Sequence, residues 1–388
     1  MAPPAPHIID EILEDIFLRL PTPAALARVS TASPSFRRII TERSFLRRFR
    51  KLHPPPLLGF ATNNGVFEPV QDPDPSAPLA RALADAADFT YSSSSPGPEM
   101  IRLLLGLPAI SAMAADAVFT NLAVCDPLSR KYVLLPPIPK DMTVQTEPLV
   151  EYGRFLASAG EDEDEDETLF KVICTAHYKS KLVVFVFTSS SGQWCKVASP
   201  SWSFLGPIGF RWNSLGHPYY LRGCFYWMPL STDKLLVLDT CRMESSTVNN
   251  LPGYREQLMN QPGRVMYTPS IVIGTEGALE MITLVGDLGA SGLFYLYHTS
   301  QENKGESCNQ CQLKNVIALP SGWTYNIVGA TEGLMFIRGM EARSRDPDIN
   351  LYSLDVKTSE VKKVCRATFY GHYCSYFGFP PSLSKPSL

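Results

Sequence analysis

The cysteine pair Cys308 and Cys311 is the pair of residues in the chain whose spacing most resembles a metal or redox site. Thiolates at a C-x-x-C spacing can share a zinc ion or form a reactive disulfide. The sequence supplies no second ligand pair nearby, because the nearest histidine is His298 and the other cysteines lie more than fifty residues away. We expect this C-x-x-C to be structurally idle, and we predict no bound metal and no cofactor.

The histidines are isolated, at positions 7, 53, 177, 217, 298 and 372. None has a carboxylate or a nucleophile at the spacing of a known catalytic motif, and the GxSxG, GxxxxGKS, GxGxxG and HExxH patterns are missing from the sequence. We therefore expect no catalytic residue and a protein that is not an enzyme. An enzyme that uses loop carboxylates or Cys308 and Cys311 is the alternative.

Charge is concentrated in two short segments. The chain has a net charge of −3, residues 7–52 hold nine Lys/Arg against five Asp/Glu, and residues 161–167 read EDEDEDE. We expect a disordered acidic loop over residues 158–168, with a docking site for a basic substrate as the alternative. The basic string that starts at Arg37 is expected to be the solvated face of short helices, so we predict no nucleic-acid partner.

Nine scattered cysteines in a chain of this length do not form a disulfide framework of the kind found in small secreted domains. The N-terminus lacks the pattern of a signal peptide, and no apolar stretch predicts a membrane span. We expect a protein of the cytoplasm, the nucleus or both, with no membrane partner.

The elements that would position functional residues begin with an N-terminal helical segment. Apolar residues recur at the period of an amphipathic helix, at positions 9, 12, 13, 16, 17 and 20, and Pro21 ends the pattern. Thr22-Pro23 and Ser33-Pro34 each offer an N-cap followed by proline at the first helical position. The sequence predicts a small domain of three to four short helices over residues 8–52.

Residues 53–84 are rich in proline and predict a linker and an entry segment, and residues 85–379 read as short β-strands separated by turns. A repeat matches Asp239 in LLVLDT with Asp355 in LYSLDVKT, 116 residues apart, with a strand at Tyr297 about midway. The period of about 57 residues is close to that of a four-stranded propeller blade with loop insertions. We predict a multidomain α + β protein whose all-β part is a kelch-like propeller of five or six blades.

Residues 8–40, IIDEILEDIFLRLPTPAALARVSTASPSFRRII, resemble an F-box. The resemblance lies in the apolar first helix that ends at Leu20-Pro21, in the following Leu26 and in the aromatic Phe36. LAVCDPLSRKYVLLPPIP (122–139) is similar to the propeller-like associated region found behind many plant F-boxes. The resemblance to this family implies docking on a Skp-type adaptor and, through it, on a cullin-RING ligase.

The implied function is that of a substrate-receptor subunit of a Skp-cullin-F-box ubiquitin ligase, in which the propeller recruits a protein for ubiquitination and degradation. The expected adaptor contacts lie on the apolar side of the first predicted helix, at its Leu-Pro end and on the second predicted helix. They are Ile9, Ile12, Leu13, Ile16, Leu20, Pro21, Leu26 and Val29. Turn-like surroundings indicate Trp202, Trp212 and Trp323 as candidate substrate contacts. The alternative is a propeller scaffold outside any ligase with a vestigial F-box, since Ile8-Ile9 stands where the family opens with Leu-Pro.

Overall fold

The fold was analysed in a computed structural model of the chain. The structure describes residues 9–21, 23–53, 56–62, 65–89, 101–103, 122–127, 131–143, 149–158, 169–178, 181–197, 219–221, 223–228, 234–240, 242–249, 264–266, 270–274, 279–287, 293–302, 310–331, 333–342, 344, 347–368 and 373–377. The acidic run Glu161–Glu167 lies outside the described residues. The chain divides into two compact units, one formed mainly by residues 1–57 and the other mainly by residues 58–376.

The first unit contains four short helices in its described part: α1 (Asp10–Leu18), α2 (Pro23–Ser30), α3 (Pro34–Ile40) and α4 (Arg43–Leu52). Helix α3 begins as the sequence predicts, because the Ser33 hydroxyl accepts a hydrogen bond from the Ser35 N–H at 3.3 Å and Pro34 follows the cap. Helix α1 ends two residues earlier than predicted. The N–H groups of Arg19 and Leu20 donate to carbonyls three residues back, which tightens the chain before Pro21.

The second unit is mostly β-structure with the arrangement of a β-propeller. Its described strands form six sheets. Five sheets are built from consecutive strands, namely β3–β5, β6–β9, β10–β13, β14–β18 and β19–β22, and the sixth has the order β2-β1-β23. The sixth sheet pairs the first strand of the chain with the last, so FYGHYCSYFGF (369–379) contributes the strand that joins the two ends of the unit.

The strands are β1 (Leu57–Thr62), β2 (Phe67–Pro69), β3 (Ile101–Leu103), β4 (Leu122–Asp126), β5 (Lys131–Leu134), β6 (Leu149–Ser158), β7 (Phe170–Tyr178), β8 (Leu182–Thr188), β9 (Gln193–Val197), β10 (Tyr219–Leu221), β11 (Cys224–Trp227), β12 (Lys234–Asp239), β13 (Glu244–Asn249), β14 (Arg264–Met266), β15 (Ser270–Ile273), β16 (Leu279–Asp287), β17 (Phe294–Glu302), β18 (Gln310–Ala318), β19 (Trp323–Thr331), β20 (Leu334–Glu341), β21 (Ile349–Asp355), β22 (Val361–Ala367) and β23 (Tyr373–Phe377). Two further helices are α5 (Ala77–Ala86) and α6 (Lys140–Thr143). The pairings within the five sheets from β3 to β22 are antiparallel apart from β3 with β4.

Each copy of the predicted sequence repeat corresponds to one sheet. Asp239 and Asp355 end the third strands of their sheets, β12 and β21, and each carboxylate accepts an N–H from the turn that follows. Gly223 and Gly333 open the paired strands with φ values of 71° and 78°, in the region that favours glycine. Tyr297 lies on β17, between β16 and β18 of its own sheet. The short strands that the sequence predicts around Asp239 and Asp355 are confirmed, and they pair as β11 with β12 and β20 with β21.

The proline-rich segment 53–84 contains more regular structure than an entry strand. It includes β1, β2 and most of α5, and Phe60 on β1 is fully buried against Phe336 with ring centroids 5.3 Å apart. Helix α5 begins with Pro78 in its first turn, where the missing N–H of proline costs nothing. Prolines in this segment therefore mark element boundaries within a packed region.

Candidate docking surface on the first helix

The helical unit encloses its own apolar core. The buried members of this core come from all four helices: Leu13, Phe17, Leu18, Leu26, Ile39, Ile40, Phe45 and Phe49. Phe17 meets Phe36 edge to face with centroids 5.1 Å apart. Helix α1 packs against α3 and α4, so its Leu13 and Phe17 side lies toward the inside of the unit.

Three isoleucines remain exposed, namely Ile9 at the N-cap of α1 and Ile12 and Ile16 within the helix. Ile9, Ile12 and Ile16 keep 53%, 50% and 46% of their surface accessible to solvent. They are spaced three and four residues apart, which places them on one side of the helix. We call Ile9, Ile12 and Ile16 the isoleucine stripe. Isolated apolar residues on a surface are ordinary, but adjacent ones on one helix form a contact surface that a partner helix can cover.

Ion pairs hold α1 against its neighbours in the unit. The carboxylate of Asp10 pairs with Arg38 of α3, and the resulting hydrogen bond and charge attraction raise the pKa of the Arg38 guanidinium. Arg48 of α4 binds Glu14 at 2.5 Å and approaches Asp15 at 3.6 Å. These pairs link the acidic residues of α1 to the basic residues of α3 and α4. The polar contacts thus fix the orientation of the helix that carries the isoleucine stripe.

The end of α1 is also fixed by a polar contact. The Nε2 atom of His53 lies 2.7 Å from the carbonyl oxygen of Leu18, and the imidazole ring packs on Phe49 with centroids 4.3 Å apart. Carbonyls in the last turn of a helix have no partner inside the helix, so a side-chain donor there stabilises the end. His53, which the sequence left without a role, helps to hold α1 in place.

The predicted adaptor residues separate into two groups. Pro21 is exposed like the isoleucine stripe, whereas Leu20 and Val29 are half-buried against the core of the unit. Leu13 and Leu26 are only 8% and 5% exposed. These two leucines support the surface from beneath and have little area to offer to a partner.

The tryptophans proposed as substrate contacts are only partly described. Trp202 and Trp212 lie outside the described residues. Trp323 begins β19, is half-buried and packs against the core between the sheets β14–β18 and β19–β22. Trp194 and Trp227 are buried, and the indole N–H of Trp194 donates to the carbonyl of Pro136 at 2.7 Å. Trp323 is therefore partly accessible to solvent and partly packed in the fold, and its contact with a substrate stays a prediction.

The C-x-x-C pair, which was considered first for chemistry, is described only in part. Cys308 lies outside the described residues, and Cys311 belongs to β18. Among the residues that the structure describes, no group of three or more His, Cys, Asp or Glu side chains could hold a metal ion. The same part of the chain contains no helix with the length and apolarity needed to cross a membrane.

A buried polar cluster in the β unit was missed by sequence reasoning. Glu280 on β16 is buried, lies 2.6 Å from Nε2 of His298 on β17, and pairs with Lys314 on β18. Glu280 and His298 are brought together by strand register, since Glu280 pairs with Ser300 and Ile282 with His298. Alternation of side chains along paired strands is the only sequence signal for such a contact, and it requires the register to be known.

Comparison with known proteins adds no assignment. No protein-family model matches the chain, and no curated protein matches its sequence.

Proposed function

We propose that this protein is a substrate-receptor subunit of a ubiquitin ligase of the Skp-cullin-F-box class. The helical unit would be an F-box that docks on a Skp-type adaptor, and the β unit would bind a protein destined for ubiquitination. The single observation that carries the proposal is the isoleucine stripe on the first of four short helices. It combines with the resemblance of residues 8–40 to the F-box pattern.

The exposed area of the isoleucine stripe suits a helical partner. Residues at positions i, i+3 and i+7 of one helix are the anchors by which amphipathic helices dock in apolar grooves. Association would bury the three side chains, which are at present half accessible to water, and would gain about 25 cal/mol for each Å² of apolar area removed from water. Asp10, Glu14 and Asp15 of the same helical segment are already paired with Arg38 and Arg48. They therefore carry less unpaired charge into the contact.

The proposed mechanism is proximity and requires no catalytic group in this chain. Binding of the adaptor at one unit and of a substrate at the other would tether the substrate to the enzyme that carries ubiquitin. Tethering raises the effective concentration of the acceptor lysine, and a millimolar effective concentration is typical for short connections. Positioning alone supplies a large share of the acceleration of many bimolecular reactions. The β-propeller arrangement is consistent with a protein-binding surface, and the substrate is set by its loops.

The test is co-purification with a Skp-type adaptor and a cullin. Wild type is compared with the double variant Ile12→Asp, Ile16→Asp, which places two charges on the isoleucine stripe without entering the core. Leu52→Asp is the matched control, because Leu52 is a highly exposed leucine on α4 outside the stripe. We expect wild type and Leu52→Asp to retain adaptor and cullin and the double variant to lose both.

A propeller scaffold with a vestigial F-box is the second candidate function. It is favoured by Ile8-Ile9, which replaces the opening Leu-Pro of the family. On this alternative wild type leaves the adaptor in the flow-through, and the β unit still captures its binding partner. The same co-purification therefore distinguishes the two functions.

A further inference from the structure

Arg154 is a buried cation on an inner strand of the β unit. It lies on β6, pairs in register with Cys174 of β7, and is 5% exposed. Residues two apart on a strand share a face, so Arg154 lies on the same face as Tyr152. Tyr152 and Cys174 both belong to an apolar cluster with residues of β4, β7 and β8. The guanidinium is therefore held among apolar side chains.

The guanidinium is short of hydrogen-bond acceptors. Its Nε and Nη1 atoms are buried and have no hydrogen-bond partner in the part of the chain that the structure describes. The neighbouring group that interacts with its charge is the ring of Tyr152, whose centroid lies 5.2 Å from Cζ. A ring face attracts a cation weakly but accepts none of its N–H groups as an anion would.

The two titratable neighbours do not neutralise this charge. Burial raises the pKa of the Cys174 thiol to about 12 and raises the pKa of Tyr152 well above its usual range. Both side chains are therefore uncharged near neutral pH. Burial also lowers the pKa of Arg154, but an arginine side chain stays protonated in proteins. The site keeps one positive charge with no counter-charge among these neighbours.

An unpaired buried cation destabilises the folded state, because only an opposite charge and well-placed hydrogen bonds offset the free energy of its lost hydration. A sequence selected for stability alone would have an apolar residue of similar volume at this position. The retention of arginine is explained if an anion supplies the missing partner. Guanidinium groups bind carboxylates and phosphates through parallel, charge-assisted hydrogen bonds.

Strand β6, which carries Arg154, contacts the neighbouring sheet. Strands β10, β15 and β19, which stand near the start of their sheets in chain order, contact one another, and β6 contacts β3 in the same way. These are the inner strands of the propeller arrangement, and propeller sheets surround a central channel. Arg154 thus lies on the strand of its sheet that contacts β3 of the neighbouring sheet.

We propose that Arg154 binds an anionic oxygen group, a carboxylate or a phosphate, of a ligand that enters the β unit at strand β6. This site does not depend on the function proposed for the helical unit, because the residues that form it lie in the β unit.

The test uses the full chain and two probe anions, inorganic phosphate and acetate. Thermal unfolding is followed while either anion replaces chloride at constant ionic strength. We expect a saturable rise in Tm of wild type, about 4 °C at a concentration about one hundred times Kd. A response to phosphate alone supports a phosphate ligand, and a response to acetate supports a carboxylate ligand.

Arg154→Met removes the charge at similar volume, and Arg154→Gln is a second variant that retains polar groups. We expect both to lose the anion response, and we expect Arg154→Met without added anion to melt no lower than wild type. Arg81→Met is the matched control, because Arg81 is an exposed arginine of α5 that pairs with Asp72 at 3.1 Å. It should respond like wild type. An unchanged response in either Arg154 variant, or no saturable response of wild type to either anion, would overturn the proposal.

Discussion

The carboxylate of Glu68 binds Thr368 across 300 residues of sequence. Its Oε1 atom accepts hydrogen bonds from the Thr368 N–H at 2.7 Å and from the Thr368 hydroxyl at 2.6 Å. Glu68 is 6% exposed, and its strand β2 pairs with β1, which pairs in turn with β23. Gln71 adds to this connection, since its N–H donates to the carbonyl of Val364 at 2.9 Å. A single carboxylate thus helps to join the two ends of the β unit.

Replacement of Glu68 by alanine should destabilise the β unit. It removes the buried carboxylate that accepts both the N–H and the hydroxyl of Thr368, and hydrogen bonds to a charged group contribute about 1.5 to 3 kcal/mol. We expect the free energy of unfolding in urea to fall by about 2 to 3 kcal/mol. Glu360→Ala is the control, because Glu360 lies on the surface. Equal effects of the two variants would contradict the structural role of Glu68.

Gly274 and Glu280 should show strong coupling in a double-mutant cycle. A Cβ atom built at Gly274 would overlap the carboxylate of Glu280, so Gly274→Ala must displace that buried side chain. Glu280→Ala removes the contacts with buried His298 and partly exposed Lys314 and should cost about 1.5 to 3 kcal/mol. In the Glu280→Ala background the space is open, and Gly274→Ala should cost at least about 1 kcal/mol less than in wild type. Additive losses in urea unfolding would show that the two sites do not meet.

The buried cysteines should resist alkylation in the native protein. Burial raises the pKa values of Cys174 and Cys365 to about 12, so their reactive thiolate forms are scarce at about pH 8. Cys195 is exposed. We expect iodoacetamide to label Cys195 at least about one hundred times faster than the two buried thiols, and mass spectrometry of peptides measures the difference. Labelling in urea is the control, and rapid native labelling of Cys174 would contradict the packing.

The isoleucine stripe should be dispensable for folding. Ile12→Asp and Ile16→Asp place charges in water, and surface changes of this kind usually alter stability by no more than about 0.5 kcal/mol. Phe45→Ala instead empties the core of the helical unit, where such a truncation costs about 3 to 5 kcal/mol. Helical circular dichroism during thermal unfolding compares the variants. A large loss of helicity in the aspartate variants would mean that the stripe is part of the core.

The sequence was sufficient to predict the helices and strands that are specified by residues close together in the chain. Proline after a capping residue predicts where α2 and α3 begin, and the match of LLVLDT with LYSLDVKT predicts the strands that end at Asp239 and Asp355. Local signals do not decide which side of α1 faces inward. Leu13 and Ile12 are both apolar and adjacent, and only the packing of α3 and α4 makes one buried and the other exposed.

Contacts set by distant register could not be predicted in this way. The pairing of Glu280 with His298 depends on the alignment of β16 with β17, and the contact of Glu68 with Thr368 depends on the assembly of the whole β unit. The burial of Arg154 could not be predicted either, because an arginine within a strand is expected to face solvent unless another part of the fold covers it. Burial of these polar groups is a property of the fold and is not visible in the order of the residues.

The most direct test of the proposed function is the dissociation constant of the full chain for a purified Skp-type adaptor, measured by titration calorimetry. We expect wild type and Leu52→Asp to bind with similar affinity, and Ile12→Asp with Ile16→Asp to weaken binding by at least about 100-fold, or about 2.7 kcal/mol. An unchanged dissociation constant in the folded double variant, or no measurable binding by wild type, would contradict the claim that the isoleucine stripe is an adaptor-docking surface.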